Sequence, residues 1–361
     1  MNKTIHNFNA GPGILPAEVC KQAAEAVINF NNTGLSILEI GHRTAIFTEV
    51  METARSLVRK LMNLPESHEV LFLHGGASTQ FFQVPMNLLD NHEFASIADT
   101  GVWSSKAIKE TRLFGHVDVV CSGKENNYSF IPKNFRVSPT SKYLHITTNN
   151  TIYGTQWNDL KPFYEMGVPI VADMSSDVLS RSIEFEKFDL IYAGAQKNVG
   201  AAGVNLLVVN KEILGKTSRD IPTMMDYREH IKNNSMLNTP PVFAVYVCML
   251  TLQWLDKQGG VTEIEKINRK KAGLLYNSID KSPVFKGTAA KEDRSLMNAC
   301  FVMENEILEK EFLQFVEQEG MVGIKGHRSV GGFRVSMYNS LNIESVEALC
   351  GLMDHFSYKK G

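Results

Sequence analysis

The sequence predicts an α/β protein: a mostly parallel seven-stranded sheet between helices, followed by a smaller α+β portion. Seven short apolar runs succeed one another between residues 70 and 209, and helix-sized segments separate them. After Gly259-Gly260 the strand-like runs thin out and interleave with helical patterns. Short, continuously apolar runs read as strands covered on both faces, the pattern of a parallel sheet.

Taken in order, a helix is expected over 17–30, with Pro16 at its start. The strand runs are Val70-Leu71-Phe72-Leu73, Phe94-Ala95-Ser96-Ile97-Ala98 and Val117-Asp118-Val119-Val120-Cys121. Leu144-His145-Ile146-Thr147, Pro169-Ile170-Val171-Ala172, Leu190-Ile191-Tyr192-Ala193 and Leu206-Leu207-Val208-Val209 complete the seven. The segment 242–256 is apolar enough for a buried helix, and Thr262 with Glu265 has the capping-box pattern that opens a helix over 262–279. Strands at 296–303 and 333–338 alternate with helices at 307–319 and 343–356. The expected division is a large domain, 17–260, and a small one, 261–361, with segment 1–16 packing on the latter. No Pro/Ser-rich linker, repeat or low-complexity tract marks the junction.

Composition narrows the function. The chain has 361 residues, with 37 Lys+Arg against 39 Asp+Glu and no basic stripe, which argues against nucleic-acid binding. The apolar run Val242–Leu250 falls far short of the ~18 residues a membrane span needs. The N-terminal residues lack the apolar core of a secretory signal. Five scattered cysteines without a CxxC pair fit reduced thiols in the cytoplasm and exclude a zinc ribbon. No metal is expected.

The stretch Ile191 to Gly203 runs from a strand into a lysine, Lys197, surrounded by small residues. Such neighbours let a planar group approach, and lysine amines form Schiff bases with aldehydes such as pyridoxal phosphate. A solvated lysine in a glycine-rich turn is the ordinary alternative. Asp173 follows the strand just before, 24 residues upstream of Lys197. Both therefore sit at carboxyl ends of strands, where α/β sheets collect ligands. A carboxylate there could keep a pyridine nitrogen protonated, although a turn aspartate is the plain alternative. His74-Gly75-Gly76-Ala77-Ser78, after the first strand, offers backbone amides at a helix start for a phosphate. It matches neither GxGxxG nor GxxxxGK[ST]. Trp103 could stack on a ring or simply fill the core. Three glycine-flanked cationic turns, Gly41-His42-Arg43, Gly326-His327-Arg328 and Gly331-Gly332-Phe333-Arg334, suit a doubly anionic substrate better together than singly.

These residues, with Asn9-Ala10-Gly11-Pro12, Asn238-Thr239-Pro240-Pro241 and Lys325 through Gly332, resemble over essentially the whole chain the phosphoserine aminotransferase family. That family belongs to the class V branch of fold-type I pyridoxal-phosphate enzymes. The resemblance implies that Lys197 binds pyridoxal phosphate covalently, Asp173 pairs with its ring nitrogen, Trp103 stacks on it and Thr151 bonds its phenolic oxygen. It further implies that Ala77, Ser78, Gln196, Asn238 and Thr239 hold the cofactor phosphate. Asn238 and Thr239 would come from a neighbouring subunit, giving a homodimer with shared sites. His42, Arg43, His327 and Arg328 would bind the substrate phosphate, and Arg334 the α-carboxylate. Some family members carry arginine where this chain has Ser78, so only the backbone part of that contact transfers.

The implied reaction is a ping-pong exchange between L-glutamate with 3-phosphohydroxypyruvate and 2-oxoglutarate with O-phospho-L-serine. It belongs to serine biosynthesis, and 4-phosphohydroxythreonine, in pyridoxal phosphate synthesis, is a further candidate substrate. A cysteine desulfurase would need a mobile thiol, for which neither Cys300 nor Cys350 is suited. A small-substrate transaminase would not need two His-Arg pairs. A non-catalytic carrier of pyridoxal phosphate would hold cofactor yet show no half-reaction.

Overall fold

Alternation along the buried strands builds the central layers. The computed structural model describes residues 4–360. Its main sheet contains β1 (His68–Leu73), β2 (Phe94–Asp99), β3 (His116–Ser122), β4 (Leu144–Thr147), β5 (Ile170–Asp173), β6 (Leu190–Gly194) and β7 (Asn205–Asn210). The spatial order is β1-β7-β6-β5-β4-β2-β3. β7 runs antiparallel to both its neighbours, and every other pair is parallel. Val70 and Phe72 face one apolar core, Leu71 and Leu73 the other, so the period of two in each strand feeds both faces.

Helices α1 (Ala17–Ile28), α2 (Ala45–Leu61) and the apolar α5 (Val242–Lys257) cover the first face. α3 (Gly76–Leu88) and α4 (Val102–Thr111) cover the second. Beyond α6 (Gly260–Lys281), a three-stranded antiparallel sheet forms from β8 (Lys286–Gly287), β9 (Asn298–Val302) and β10 (Phe333–Ser336). With α7 (Glu306–Gln318) and α8 (Ile343–Lys360) it encloses a third core rich in phenylalanine. There Phe301 stacks on Phe333 with centroids 5.0 Å apart. Phe8 lies in this core, and His6–Asn7 pairs in parallel with Met321–Val322. Among the described residues, no helix is long and apolar enough to cross a membrane.

Two details depart from the sequence expectation. The run 117–121 is not covered on both faces: β3 is the edge strand, mostly open, with Val119 38% exposed. Nor does Thr262 cap α6. The helix begins at Gly260 after Gly259, whose φ of +91° supplies the left-handed entry. Glu265 instead accepts the Ser182 amide at 2.8 Å and pairs with Arg269. The helix also belongs to two cores, Val261 and Ile264 to the first and Ala272, Leu275 and Ile279 to the third.

The turn after β6 is packed hard against α5. A β-carbon on Gly200 would sit 2.6 Å from Cys248 Sγ and 2.9 Å from its Cα. Gly200→Ala is therefore expected to destabilise the fold by about 1–3 kcal/mol through overpacking. A denaturant midpoint that does not fall would refute this.

Candidate active site

The carboxyl ends of β1, β2, β4, β5 and β6 open onto one cavity of about 390 Å³. Its walls include Gly75, Gly76, Ala77, Ser78, Trp103, Thr151, Asp173, Gln196, Lys197, His327 and Arg334. Nine of the residues singled out in the sequence thus meet: Ala77, Ser78, Trp103, Thr151, Asp173, Gln196, Lys197, His327 and Arg334.

Asp173 is the last residue of β5 and stands in register with Thr147 on β4 and Tyr192 on β6. It is buried, and its carboxylate accepts the Ser175 amide at 3.0 Å. Desolvation pushes its pKa up; hydrogen bonds from Ser175 and the charge of Lys197 oppose that rise. Lys197 follows β6 by three residues and donates Nζ to Thr151 Oγ1 at 3.1 Å. Burial lowers its pKa to about 8; Asp173 pulls it up and Arg334 down. A lysine so placed carries a substantial neutral, nucleophilic fraction near neutrality. Its Nζ lies 5.9 Å from the centre of the Trp103 ring.

The first turn of α3 supplies the anion site. Gly75 caps the helix in a left-handed conformation, φ +87°, without a side-chain cap. The amides of Gly76, Ala77 and Ser78 have no intrahelical acceptor and carry the positive end of the helix dipole. A β-carbon on Gly75 would fall 1.8 Å from Thr79 Oγ1, so only glycine fits.

Cations gather on the opposite wall. Burial lowers the His327 pKa, and Arg334, Arg328 and Lys106 lower it further. Cationic neighbours disfavour the protonated form of this imidazole.

Pyridoxal phosphate fits these residues on three counts. The uncapped helix start suits its phosphate, and the buried carboxylate suits a protonated ring nitrogen. Moreover, Trp103 Nε1, Thr147 Oγ1 and Arg334 Nε, all on cavity-lining residues, are buried without protein partners.

The remaining singled-out residues do not line this cavity. Arg43 and Arg328 are exposed, and His42 is half-buried with Nε2 unpartnered. Thr239 O and Asn238 Nδ2 lie 2.9 and 3.3 Å from His74 Nε2, just before the helix start. Sequence reasoning missed several residues that do contribute. Thr147, Asn149, Ser175 and Ser176 line the wall around Asp173, and their positions at or just beyond the ends of strand runs were the available signal. Ala10 and Gly11, noted above within the run Asn9-Ala10-Gly11-Pro12 but given no site role, line it from the N-terminal segment, held by Gly13 N donating to Gln196 O at 2.7 Å. Lys106 Nζ lies 4.5 Å over the Trp103 ring, and nothing in its helical context marked it.

In cofactor-free protein, reductive methylation of Lys197 should rise through half its maximum near pH 8, well below the ordinary lysine value of 10.5. Asp173→Asn removes a charge that holds the proton on, so the Lys197 midpoint should move to lower pH. A midpoint unchanged from ordinary lysine would refute this picture of the pair.

The aminotransferase class-V family model matches residues 5–349. The phosphoserine aminotransferase of Flavobacterium psychrophilum is 52% identical over 355 residues, covering 98% of this chain and 99% of its own. A solved phosphoserine aminotransferase from Bacillus circulans subsp. alkalophilus is 42% identical, with a TM-score of 0.96 and 99% of each chain covered. That from Trichomonas vaginalis, solved with pyridoxal phosphate bound, is 34% identical, with a TM-score of 0.91, covering 97% of this chain and 100% of its own.

Proposed function

Because the chain belongs to the phosphoserine aminotransferases of class V, and is thus a pyridoxal-phosphate-dependent transaminase, we propose that it exchanges amino groups between glutamate and 3-phosphohydroxypyruvate. The products are 2-oxoglutarate and O-phospho-L-serine, a step of serine biosynthesis in the cytoplasm. The same pocket would admit 4-phosphohydroxythreonine, in pyridoxal phosphate synthesis. The observation that carries this reading is the convergence of the Lys197 amine, the Asp173 carboxylate and an amide-lined anion site in one cavity.

Bound there, pyridoxal phosphate supplies an aldehyde to take up the amino group and a ring to draw electrons from the substrate's α-carbon. Lys197 would hold that aldehyde through Nζ, and the same amine is placed to take the proton from the substrate's α-carbon. Its depressed pKa keeps Nζ able to do so. Asp173 would hold the proton on the ring nitrogen, while Trp103 would stack on the ring and Thr151 would bond the phenolic oxygen. The amides of Ala77 and Ser78, with Gln196, hold the phosphate. Arg334 fixes the α-carboxylate common to both substrates. His327 and Arg328, with His42 and Arg43, receive the γ-carboxylate of glutamate or the substrate phosphate.

His42, Arg43, Asn238 and Thr239 stand outside the chain's own cavity, which supports a homodimer in which one subunit completes the other's site. The division into domains 17–260 and 261–361, with 1–16 on the smaller, belongs to the same reading. It is supported by the separate phenylalanine-rich core that includes Phe8.

Glutamate alone should shift the visible absorbance of the purified holoenzyme, and 2-oxoglutarate should reverse the shift. Lys197→Ala should lose both the visible band and turnover; retained turnover with phosphoserine would overturn the role of Lys197. Arg43→Ala and Arg328→Ala should each raise KM for phosphoserine about 10–100-fold, the equivalent of one charge-assisted contact. For the shared site, Lys197→Ala chains mixed with Asn238→Ala/Thr239→Ala chains should regain activity as hybrids form. Inactive hybrids would refute sharing.

A further inference from the structure

Between the Lys197 turn and the strand that carries Arg334 runs a chain of buried amides that none of the roles above uses. Asn198 donates Nδ2 to Val178 O at 3.2 Å, and its Oδ1 accepts the Asn339 backbone amide at 3.0 Å. Asn339 in turn donates Nδ2 to Leu179 O at 2.9 Å. The Asn339 Oδ1 accepts from Asn268 Nδ2 at 2.9 Å, and the same Nδ2 also reaches Ser180 O at 2.9 Å. One turn further along α6, Lys271 directs Nζ at the carbonyls of Met337, Tyr338 and Leu341, at 3.2, 2.8 and 3.1 Å. Asn268 and Lys271 are completely buried, and Asn198 and Asn339 nearly so.

The elements joined are informative. Asn198 is the immediate neighbour of Lys197, and Met337 lies three residues beyond Arg334. Leu179, a branched residue at φ +56°, holds a left-handed conformation that its surroundings must impose. The carbonyls of Val178, Leu179 and Ser180 each take an amide from this set. Tyr338, within the clamped loop, donates its hydroxyl to Ala10 O at 2.6 Å, beside the cavity. Asn198 and Asn339 are engaged through both side-chain atoms, and Asn268 through Nδ2 alone, its Oδ1 lacking a partner; buried amides so bonded define one relative placement of the segments they join.

We propose that Asn198, Asn339 and Asn268, with Lys271, form a latch that fixes Lys197 relative to Arg334. Asn198 and Asn339 are then positioning residues for amino transfer, which rests on the reading of Lys197 and Arg334 given above. The substrate's α-carbon is held through its carboxylate at one end of the latch, and the proton-transferring amine stands at the other. Misplacement by about 1 Å between such groups is enough to cost roughly 100-fold in rate.

Two measurements on Asn198→Ala, Asn339→Ala and the double variant test this. The first is amide hydrogen exchange on cofactor-free protein, well below each variant's melting temperature. Asn198→Ala, which removes the acceptor of the Asn339 amide, should speed exchange at 337–341 as well as in its own turn; faster exchange confined to 195–199 would refute the mechanical link. The second is steady-state kinetics of the folded holoenzymes. Each single variant should lower kcat about 10–100-fold with phosphoserine and with glutamate alike, leaving KM within a few-fold. The double should lose little more than the worse single. Unchanged kcat in folded variants, or fully additive losses, would overturn the latch. Should Asn198→Ala not fold, Lys271→Met opens the same loop from the other side and is held to the same outcomes. If the parent protein shows no glutamate half-reaction, the reading of Lys197 fails while the exchange result still decides whether the latch exists.

Discussion

A buried carboxylate facing a buried amine sets the terms for this structure. Asp173 and Lys197 stand at the ends of adjacent parallel strands, where the sheet has excluded water but the protein has left space. Desolvation acts against charge on both groups; the Asp173 charge is the main compensation for Lys197, whereas Asp173 is compensated first by hydrogen bonds from Ser175 and then by the charge of Lys197. Such a pair is unfavourable as a mere structural element. It becomes useful when a ligand brings a cationic nitrogen to the acid and an electrophile to the amine. The surrounding architecture reads as a means of holding that arrangement: two apolar layers around the sheet, a glycine-capped helix for the anion, and cations across the cavity.

Much of this was legible in the sequence, for identifiable reasons. The seven runs are short, apolar and bounded by glycine or polar residues, so strand identity survives without tertiary information. Asp173, Lys197 and the Gly75-Gly76 turn declare themselves because each lies at or just beyond the carboxyl end of a strand, where side chains and amides can point out of the sheet's end. The edge position of β3 was not legible, because Val117 to Cys121 is nearly as apolar as its covered neighbours and only sheet order exposes it. The entry to α6 was misread because Thr262 and Glu265 satisfy a local pattern while Glu265 has a stronger partner in Ser182, eighty-three residues away. Asn198, Asn268 and Asn339 gave no signal at all. Their partners are mostly backbone carbonyls, which carry no sequence identity.

The cationic wall shows the same division between local and distant information. Two His-Arg pairs are visible as strings, yet one chain brings only His327 to the cavity, whereas Arg43 points to solvent. Lys106, unremarkable on α4, becomes part of the electrostatic environment through its approach to Trp103 and His327. Cations this close disfavour positive charge at His327, and an anion entering the cavity would offset that effect.

The reversed direction of β7 has its own consequence. Every parallel neighbour in the sheet is reached by a crossover, whereas β6 and β7 are joined by residues 195–204 alone, the shortest connection between successive strands of the sheet. Closing so small a loop sacrifices the least chain entropy of any pairing here. Lys197 therefore sits in the most locally encoded connection of the main sheet, while Trp103, Thr151 and Arg334, which line the same cavity, are gathered from further along the polymer.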